Sequence, residues 1–249
     1  VTYGAGGSEV KNRTCEIASI IKNKYDIEPL AHLTCINSKK QEVSDVLDNL
    51  NQNNISNILA LRGDKLADTV AADDFKYSYH LIDFIKQNGD FNTAGACYPE
   101  GHPECENLDK DIDYLKLKED CGAEFFITQL FFDNSSFYEF IEKARARGIK
   151  SPIQVGIMPV TSTKQIERIV YLSGAKIPLK LSKLLARYGA NKEAMAQAGV
   201  IYATEQIMDL VENNVQGIHI YTMNNISIAR KITENINSVI SMENTSYLG

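Results

Sequence analysis

Residues 125–157 read FFITQLFFDNSSFYEFIEKARARGIKSPIQVGI, and this stretch decides the architecture. Phe125–Gln129 is a short, mostly apolar run closed by an amide, the composition of a strand covered on both faces. Asp133-Asn134 can cap a helix start. Ser135–Arg147 then carries apolar residues at helical spacing and stops at Gly148, a residue suited to the left-handed turn that closes a helix. Pro152–Ile157 is a second brief apolar run. Strand, amphipathic helix and strand in succession predict a parallel sheet with a helical crossover.

The same rhythm extends in both directions. Further strand candidates are Val1–Tyr3, Leu30–Cys35, Asn57–Leu61, Asn92–Cys97 and Gly217–Tyr221. Helical patterns lie between them at Glu9–Lys24, Lys39–Gln52, Tyr77–Gln87, Asp109–Cys121 and Ser162–Ser173. Val10, Ile17, Ile20 and Ile21 form the expected apolar stripe of the first. Val43, Val46, Leu47 and Leu50 form that of the second, with Ser38 ahead of it as a cap. The repeat is uniform and no Gly-rich dinucleotide fingerprint follows the first visible strand, which favours a closed (β/α)8 TIM barrel over an open doubly wound sheet. Seven strands are visible, so one strand and its helix region are expected to be missing upstream of Val1, which is not an initiator Met. The rhythm breaks only at Lys176–Asn214, where two helical segments replace one. A single catalytic domain over 1–240 is expected, followed by a polar tail, 241–249, that frays.

The net charge of −6 over 249 residues argues against nonspecific binding to nucleic acid or an anionic membrane surface. No apolar run approaches the ~20 residues that span a bilayer. Five cysteines, Cys15, Cys35, Cys97, Cys105 and Cys121, are an odd and irregularly spaced set that fits a reducing cytoplasm.

In a β/α barrel, ligands bind where strand C-termini feed their loops. Polar residues collect at those positions: Thr2 to Ser8, His32 to Cys35, Leu61 to Asp64, Cys97 to Pro103, Thr128 to Asp133, Gly156 to Val160 and Tyr221 to Asn225. Each has a plain alternative. Asp64 caps a helix or pairs with Arg62 as readily as it faces a ligand. A lone histidine such as His32 in an apolar strand is more often a hydrogen-bonded core residue than a ligand contact. Gln129 is harder to dismiss, since an amide in an apolar strand needs partners that a heterocycle offers. Cys97, His102 and Cys105 match no usual zinc spacing, so no metal is expected. Lys116 and Lys118 read as surface charges, either of which could reach a phosphate. Ser8 lacks a nucleophile's partners, and Gly4–Gly7 is no Walker loop. The residues alone imply a barrel enzyme for a polar heterocyclic ligand, with the reaction open.

The quoted segments resemble the methylenetetrahydrofolate reductase family. VTYGA, AHLTC, LRGD, YPEGHP, ITQLFFD, GIMP and HIYTMN occur in the family's order and approximate spacing, starting at Val1, Ala31, Leu61, Tyr98, Ile127, Gly156 and His219. The resemblance implies a barrel that holds FAD noncovalently. In a ping-pong cycle, NAD(P)H gives hydride to the flavin, whose N5 passes it to 5,10-methylenetetrahydrofolate. It implies a catalytic Asp64 near the flavin pyrimidine edge, and substrate contacts at Gln129, Leu185 and Asn225. It implies FAD contacts at Thr2, His32, Leu61, Arg62, Gly63, Asp64, Tyr77, Tyr79, Ala96, Tyr98, His102, Asp111 and Lys118, with Lys118 on the diphosphate. The family's first-strand Phe-Glu-Phe-Phe-Pro-Pro-type motif, which carries the general-acid Glu, does not occur here, so the chain as written is expected to be poorly active. Asn225 stands where members can carry Arg. The short bacterial type is expected, as a homo-oligomer, and some anaerobic members take electrons from a partner subunit. The rivals are a pterin-dependent methyltransferase and a non-catalytic barrel subunit.

Overall fold

A computed structural model describes residues 7–63 and 74–246. Its elements in chain order are α1 (Gly7–Tyr25), β1 (Leu30–Thr34), α2 (Lys40–Gln52), β2 (Asn57–Leu61), α3 (Ser78–Gln87), β3 (Asn92–Cys97) and α4 (Leu108–Asp120). They continue as β4 (Phe125–Thr128), α5 (Asn134–Ala146), β5 (Ile153–Ile157), α6 (Thr163–Ser173), α7 (Leu179–Tyr188), α8 (Lys192–Glu212), β6 (Ile218–Ile220) and α9 (Ile226–Ser246). Each strand expected from residue 30 onward is present to within a residue or so, and the break in rhythm is the insertion of α7 and α8. The strand expected at Val1–Tyr3, together with Thr2 and Asp64, lies outside the described residues. Helix α9 runs on to Ser246, into the stretch whose polar composition suggests fraying.

The fold is α/β with six parallel strands in sequence order, β1-β2-β3-β4-β5-β6. In the β1–β2 and β2–β3 ladders Thr34 faces Leu61 and Ala60 faces Gly95, and in the β5–β6 ladder Gly156 faces His219. All side chains of such a sheet need apolar cover, which is why the strands are short runs of Ile, Leu, Ala and Phe.

The chain divides into two compact units. The first comprises the chain up to Ala96 with Asp113–Phe126 and Ile149–Pro152. Its buried residues include Ile58, Ala60 and Ala94 of the strands, Val43, Leu47 and Leu50 of α2, and Leu81, Ile82 and Ile85 of α3, which packs on β2. Each large apolar side chain contributes roughly 1.5–3 kcal/mol on burial. Helix α1 departs from its expected stripe: Ile17 and Ile20 are both 46% exposed, whereas Thr14, Cys15 and Ala18 are buried. Helix α1 packs on β1 and α2 through these smaller side chains, a choice that apolar periodicity alone does not reveal. Ser38 is not the cap of α2. That position is Lys39, whose N–H meets Glu42 Oε2 at 2.9 Å, while Asp74 Oδ2 accepts the Lys40 N–H at 2.9 Å.

The second unit comprises Cys97–Ile112, Ile127–Gly148 and Ile153–Gly249. Its helix α5 starts as the sequence suggests, with Asp133 Oδ1 accepting the Ser135 N–H at 3.0 Å. Residues just past β4 and β5 (Leu130, Phe132, Met158, Val160) are buried with Ile166, Ala175, Leu181 and Met195 in one cluster. Helices α6, α7 and α8 thus roof the C-terminal ends of β4 and β5. Buried Gln206 donates to the Phe131 carbonyl at 3.0 Å and Tyr202 to the Phe132 carbonyl at 2.6 Å, fixing α8 to the post-β4 segment.

Candidate functional site

In the first unit the end of β2 is held by its neighbour: the Cys35 N–H donates to the Leu61 carbonyl at 3.1 Å and the Ile36 N–H to the Arg62 carbonyl at 2.8 Å. Gly63 follows at φ +85°, and a Cβ there would lie 3.0 Å from both Thr34 Cβ and Ile36 Cγ2. Only glycine fits, so bare backbone is presented at this strand end. His32 lies on the half-buried face of β1, opposite Leu59.

Tyr77, at the start of α3, stacks on Tyr79 (centroids 5.5 Å apart) and on Tyr114 of α4 (6.1 Å). Lys118 sits one turn after Tyr114. It passes Gly95, where a Cβ would lie 3.5 Å from Lys118 Cδ, and donates from Nζ to the Ala96 carbonyl at 2.7 Å. Lys76 Nζ lies 5.4 Å from the Tyr77 ring centre. Half-buried phenol rings with ammonium groups close by suit a flat, negatively charged ligand. Lys116 instead pairs with Glu119 and Asp120.

In the second unit the loop after β3 is a tight turn. Gly101 has φ +85° and its N–H returns to the Tyr98 carbonyl at 3.0 Å. The Tyr98 and His102 rings meet edge-on at 4.7 Å. Asp111 Oδ2 accepts the His102 N–H at 3.0 Å, and His102 Nδ1 accepts the Glu104 N–H at 3.0 Å, which puts the proton of the neutral ring on Nε2. Gln129, just past β4, donates its N–H to the Cys97 carbonyl at 2.7 Å, and its Oε1 accepts the Leu130 N–H at 2.9 Å. Its NH2 has no hydrogen-bond partner among the described residues, leaving two donors for a ligand.

Behind Gln129 the packing is close. Thr128 Oγ1 accepts the Gly156 N–H at 2.8 Å, and the Thr128 carbonyl accepts the Tyr221 hydroxyl at 2.8 Å. A Cβ on Gly156 would lie 2.4 Å from that carbonyl oxygen. His219 lies against the Tyr221 ring at 4.8 Å, and burial pushes its pKa down, favouring the neutral ring. Leu185 is half-buried against the apolar cluster under α7. Asn225 Oδ1 accepts from the Ser227 hydroxyl (2.9 Å) and the Ile228 N–H (3.3 Å), so this side chain caps α9.

The structure therefore gathers Tyr77, Tyr79, Ala96 and Lys118 in one unit, and Tyr98, His102 and Asp111 in the other. Gln129 stands at its own strand end, and Leu185 and Asn225 lie on α7 and at the start of α9. Tyr114 completes the tyrosine stack without having been singled out from the sequence. Its signal was available: it precedes Lys118 by four residues and so shares its helix face.

A parallel sheet in sequence order, with helices between its strands, defines an α/β protein, the class in which ligands bind at the strand C-termini. The chain matches the model of the methylenetetrahydrofolate reductase family over residues 1–237 and belongs to that family. It is 34% identical over 241 residues to methylenetetrahydrofolate reductase 1 of Schizosaccharomyces pombe, covering 95% of this chain and 40% of the relative. It is 32% identical over 232 residues to 5,10-methylenetetrahydrofolate reductase of Escherichia coli, covering 93% and 77%. The chain thus spans about 40% of the length of the fungal relative, and likewise of the Arabidopsis thaliana methylenetetrahydrofolate reductase (NADH) 1. A solved Clostridium thermocellum protein, described as binding two copies of 5-methyl-5,6,7,8-tetrahydrofolic acid, shares the fold with a TM-score of 0.58 at 15% identity, covering 93% of this chain and 91% of that one.

Proposed function

We propose that this protein reduces 5,10-methylenetetrahydrofolate to 5-methyltetrahydrofolate on a (β/α)8 barrel, with FAD as noncovalent cofactor and NAD(P)H as electron donor. The observation that carries this reading is the position of the family-motif residues at successive strand C-termini, in a chain that belongs to the family over residues 1–237.

The residues present fit FAD. Tyr77, Tyr79 and Tyr114 offer stacked rings to an adenine, and Lys118 a cation to the diphosphate. Gly63, whose side-chain space is already filled by Thr34 and Ile36, lets backbone approach a flat ring, with Leu61 and Arg62 beside it. The family resemblance also assigns Tyr98, His102, Asp111, His32, Thr2 and Ala96 to this cofactor, and within the second unit Asp111 holds the His102 backbone N–H beside the Tyr98 ring. When bound, FAD supplies the hydride relay between the nicotinamide and the folate methylene carbon. The protein's own part is orientation and exclusion of water. The NH2 of Gln129 donates to acceptors on the pterin, Asp64 sets the polarity at the flavin and pterin edges, and the α6–α8 roof with Leu185 provides an apolar cover.

The test is an absorbance spectrum of the protein produced from its full reading frame, saturated with FAD and desalted. Retained oxidised-flavin bands, bleached anaerobically by NADH or NADPH and restored by methylenetetrahydrofolate, are expected. A protein that stays colourless, or a bleached flavin that the folate does not reoxidise, overturns the proposal.

A further inference from the structure

Glu100 sits in the turn that carries Tyr98 and His102, and both its carboxylate oxygens are engaged by distant parts of the second unit. Oε2 accepts the backbone N–H of Lys176 at 2.9 Å, and Oε1 accepts the hydroxyl of Ser136, in the first turn of α5, at 3.3 Å. A second point of contact lies beside the first. Gly174 closes α6 at φ +69°, and a Cβ there would come within 3.3 Å of Pro103 Cγ in the same turn. The Tyr98–Pro103 turn therefore grips residues 174–176 twice, across a sequence separation of 76 residues for the Glu100–Lys176 bond.

The gripped segment leads directly into α7. That helix lays Leu181, Leu185 and Tyr188 over the apolar residues that follow β4 and β5. The turn is itself fixed, internally by the Gly101–Tyr98 hydrogen bond and to α4 by the His102–Asp111 bond. One carboxylate thus ties a fixed turn, bearing two aromatic side chains, to the segment that leads into an apolar cover. Both donors are neutral, so the charge is not spent on an ion pair with either of them, and hydrogen bonds to a charged acceptor are the stronger kind.

We propose that Glu100 is a positioning residue: it sets the α7 cover in register with the turn bearing Tyr98 and His102, so that the cover closes on the folate in one arrangement. This rests on the function proposed above. Glutamine can reproduce both contacts, accepting from the Lys176 N–H and donating to the Ser136 hydroxyl, whereas alanine can make neither.

The experiment uses the FAD-loaded protein and four variants: Glu100→Ala, Glu100→Gln, Lys176→Pro and Lys176→Ala. Glu100→Ala should raise the KM for methylenetetrahydrofolate about tenfold with kcat within about twofold, because a misplaced cover weakens binding more than chemistry. Glu100→Gln should recover most of the loss. Lys176→Pro removes the N–H that Glu100 accepts and should reproduce the alanine phenotype without adding to it in the double variant. Lys176→Ala keeps that N–H and should behave as wild type. Hydrogen exchange at the Lys176 amide, read in parallel, should be protected in wild type and Glu100→Gln and unprotected in Glu100→Ala. Unchanged KM and exchange in Glu100→Ala, or additive Glu100→Ala and Lys176→Pro effects, would overturn the proposal. A wild type that binds no flavin instead sinks the reductase reading and with it the positioning role, while exchange still reports whether the strap itself exists.

Discussion

Glu119 offers a quantitative test of what holds the first unit together. Its side chain, only 14% exposed, reaches from the end of α4 to the turn at residues 149–152. Oε1 accepts the Lys150 N–H at 2.8 Å, and the Ser151 N–H and hydroxyl at 2.7 Å each, while Oε2 meets Lys116 Nζ at 3.0 Å. Burial on its own would raise the carboxyl pKa, but the bonds from Ser151, Lys116 and Lys150 outweigh it and bring it from 4.5 down to about 2. At about 1.4 kcal/mol per pH unit, that gap is worth roughly 3 kcal/mol of folding stability. Because the folded-state value is the lower one, the contribution is complete above the unfolded value of 4.5. It declines as pH falls towards about 2 and is absent below that. Replacing Glu119 with Gln keeps the shape and one acceptor but removes the charge. Urea unfolding at pH 7 should show a loss of about 2 kcal/mol, which should shrink as pH falls below 4.5, the wild-type and variant curves converging only as pH approaches 2. A difference under about 0.5 kcal/mol at pH 7, or one that stays constant down to pH 3, would refute the reasoning.

Three further expectations bear on the core and the candidate site. Lys118→Ala should weaken FAD binding about tenfold by fluorescence titration, and Lys118→Arg should lose less, since charge rather than shape is what a diphosphate needs; equal affinity in all three proteins would count against the assignment. Leu181→Ala, at a fully buried position under the α6–α8 roof, should cost about 2–4 kcal/mol in denaturant unfolding. Gly199→Ala should cost at least about 3 kcal/mol, because α8 crosses so close to the post-β5 segment that a Cβ would lie 1.8 Å from the Val160 carbonyl oxygen. A soluble variant with wild-type unfolding would show that α8 moves away easily.

Much of the fold was legible because its signals are local. Strands β2 and β3 fall at Asn57–Leu61 and Asn92–Cys97, the bounds that apolar runs and flanking polar residues suggest. Helix ends at Gly122 and Gly148 follow from residues that tolerate positive φ, observed at +107° and +79°. The candidate site was half legible. Gln129 stands out in the sequence because an amide in an apolar setting needs a reason, whereas Gly63 came only from the family resemblance. The sequence could place Tyr114 on the helix face of Lys118, but its stacking on Tyr77 joins residues 37 positions apart and only the tertiary structure brings it about.

The amino-acid sequence by itself determined the alternation of strand and helix, the parallel sheet it requires and the strand ends where polar groups collect. All of these depend on periodicities of two and 3.6 residues and on residues a few positions apart. The tertiary structure alone decided which face of α1 is buried, with Thr14, Cys15 and Ala18 inside and Ile17 and Ile20 outside. It alone brought Lys118 to the Ala96 carbonyl and Glu100 to the Lys176 amide. Such contacts join residues 22 and 76 positions apart, and no local pattern encodes them. They exist because packing the helices on the sheet fixes which of many chemically suitable partners come within 3 Å.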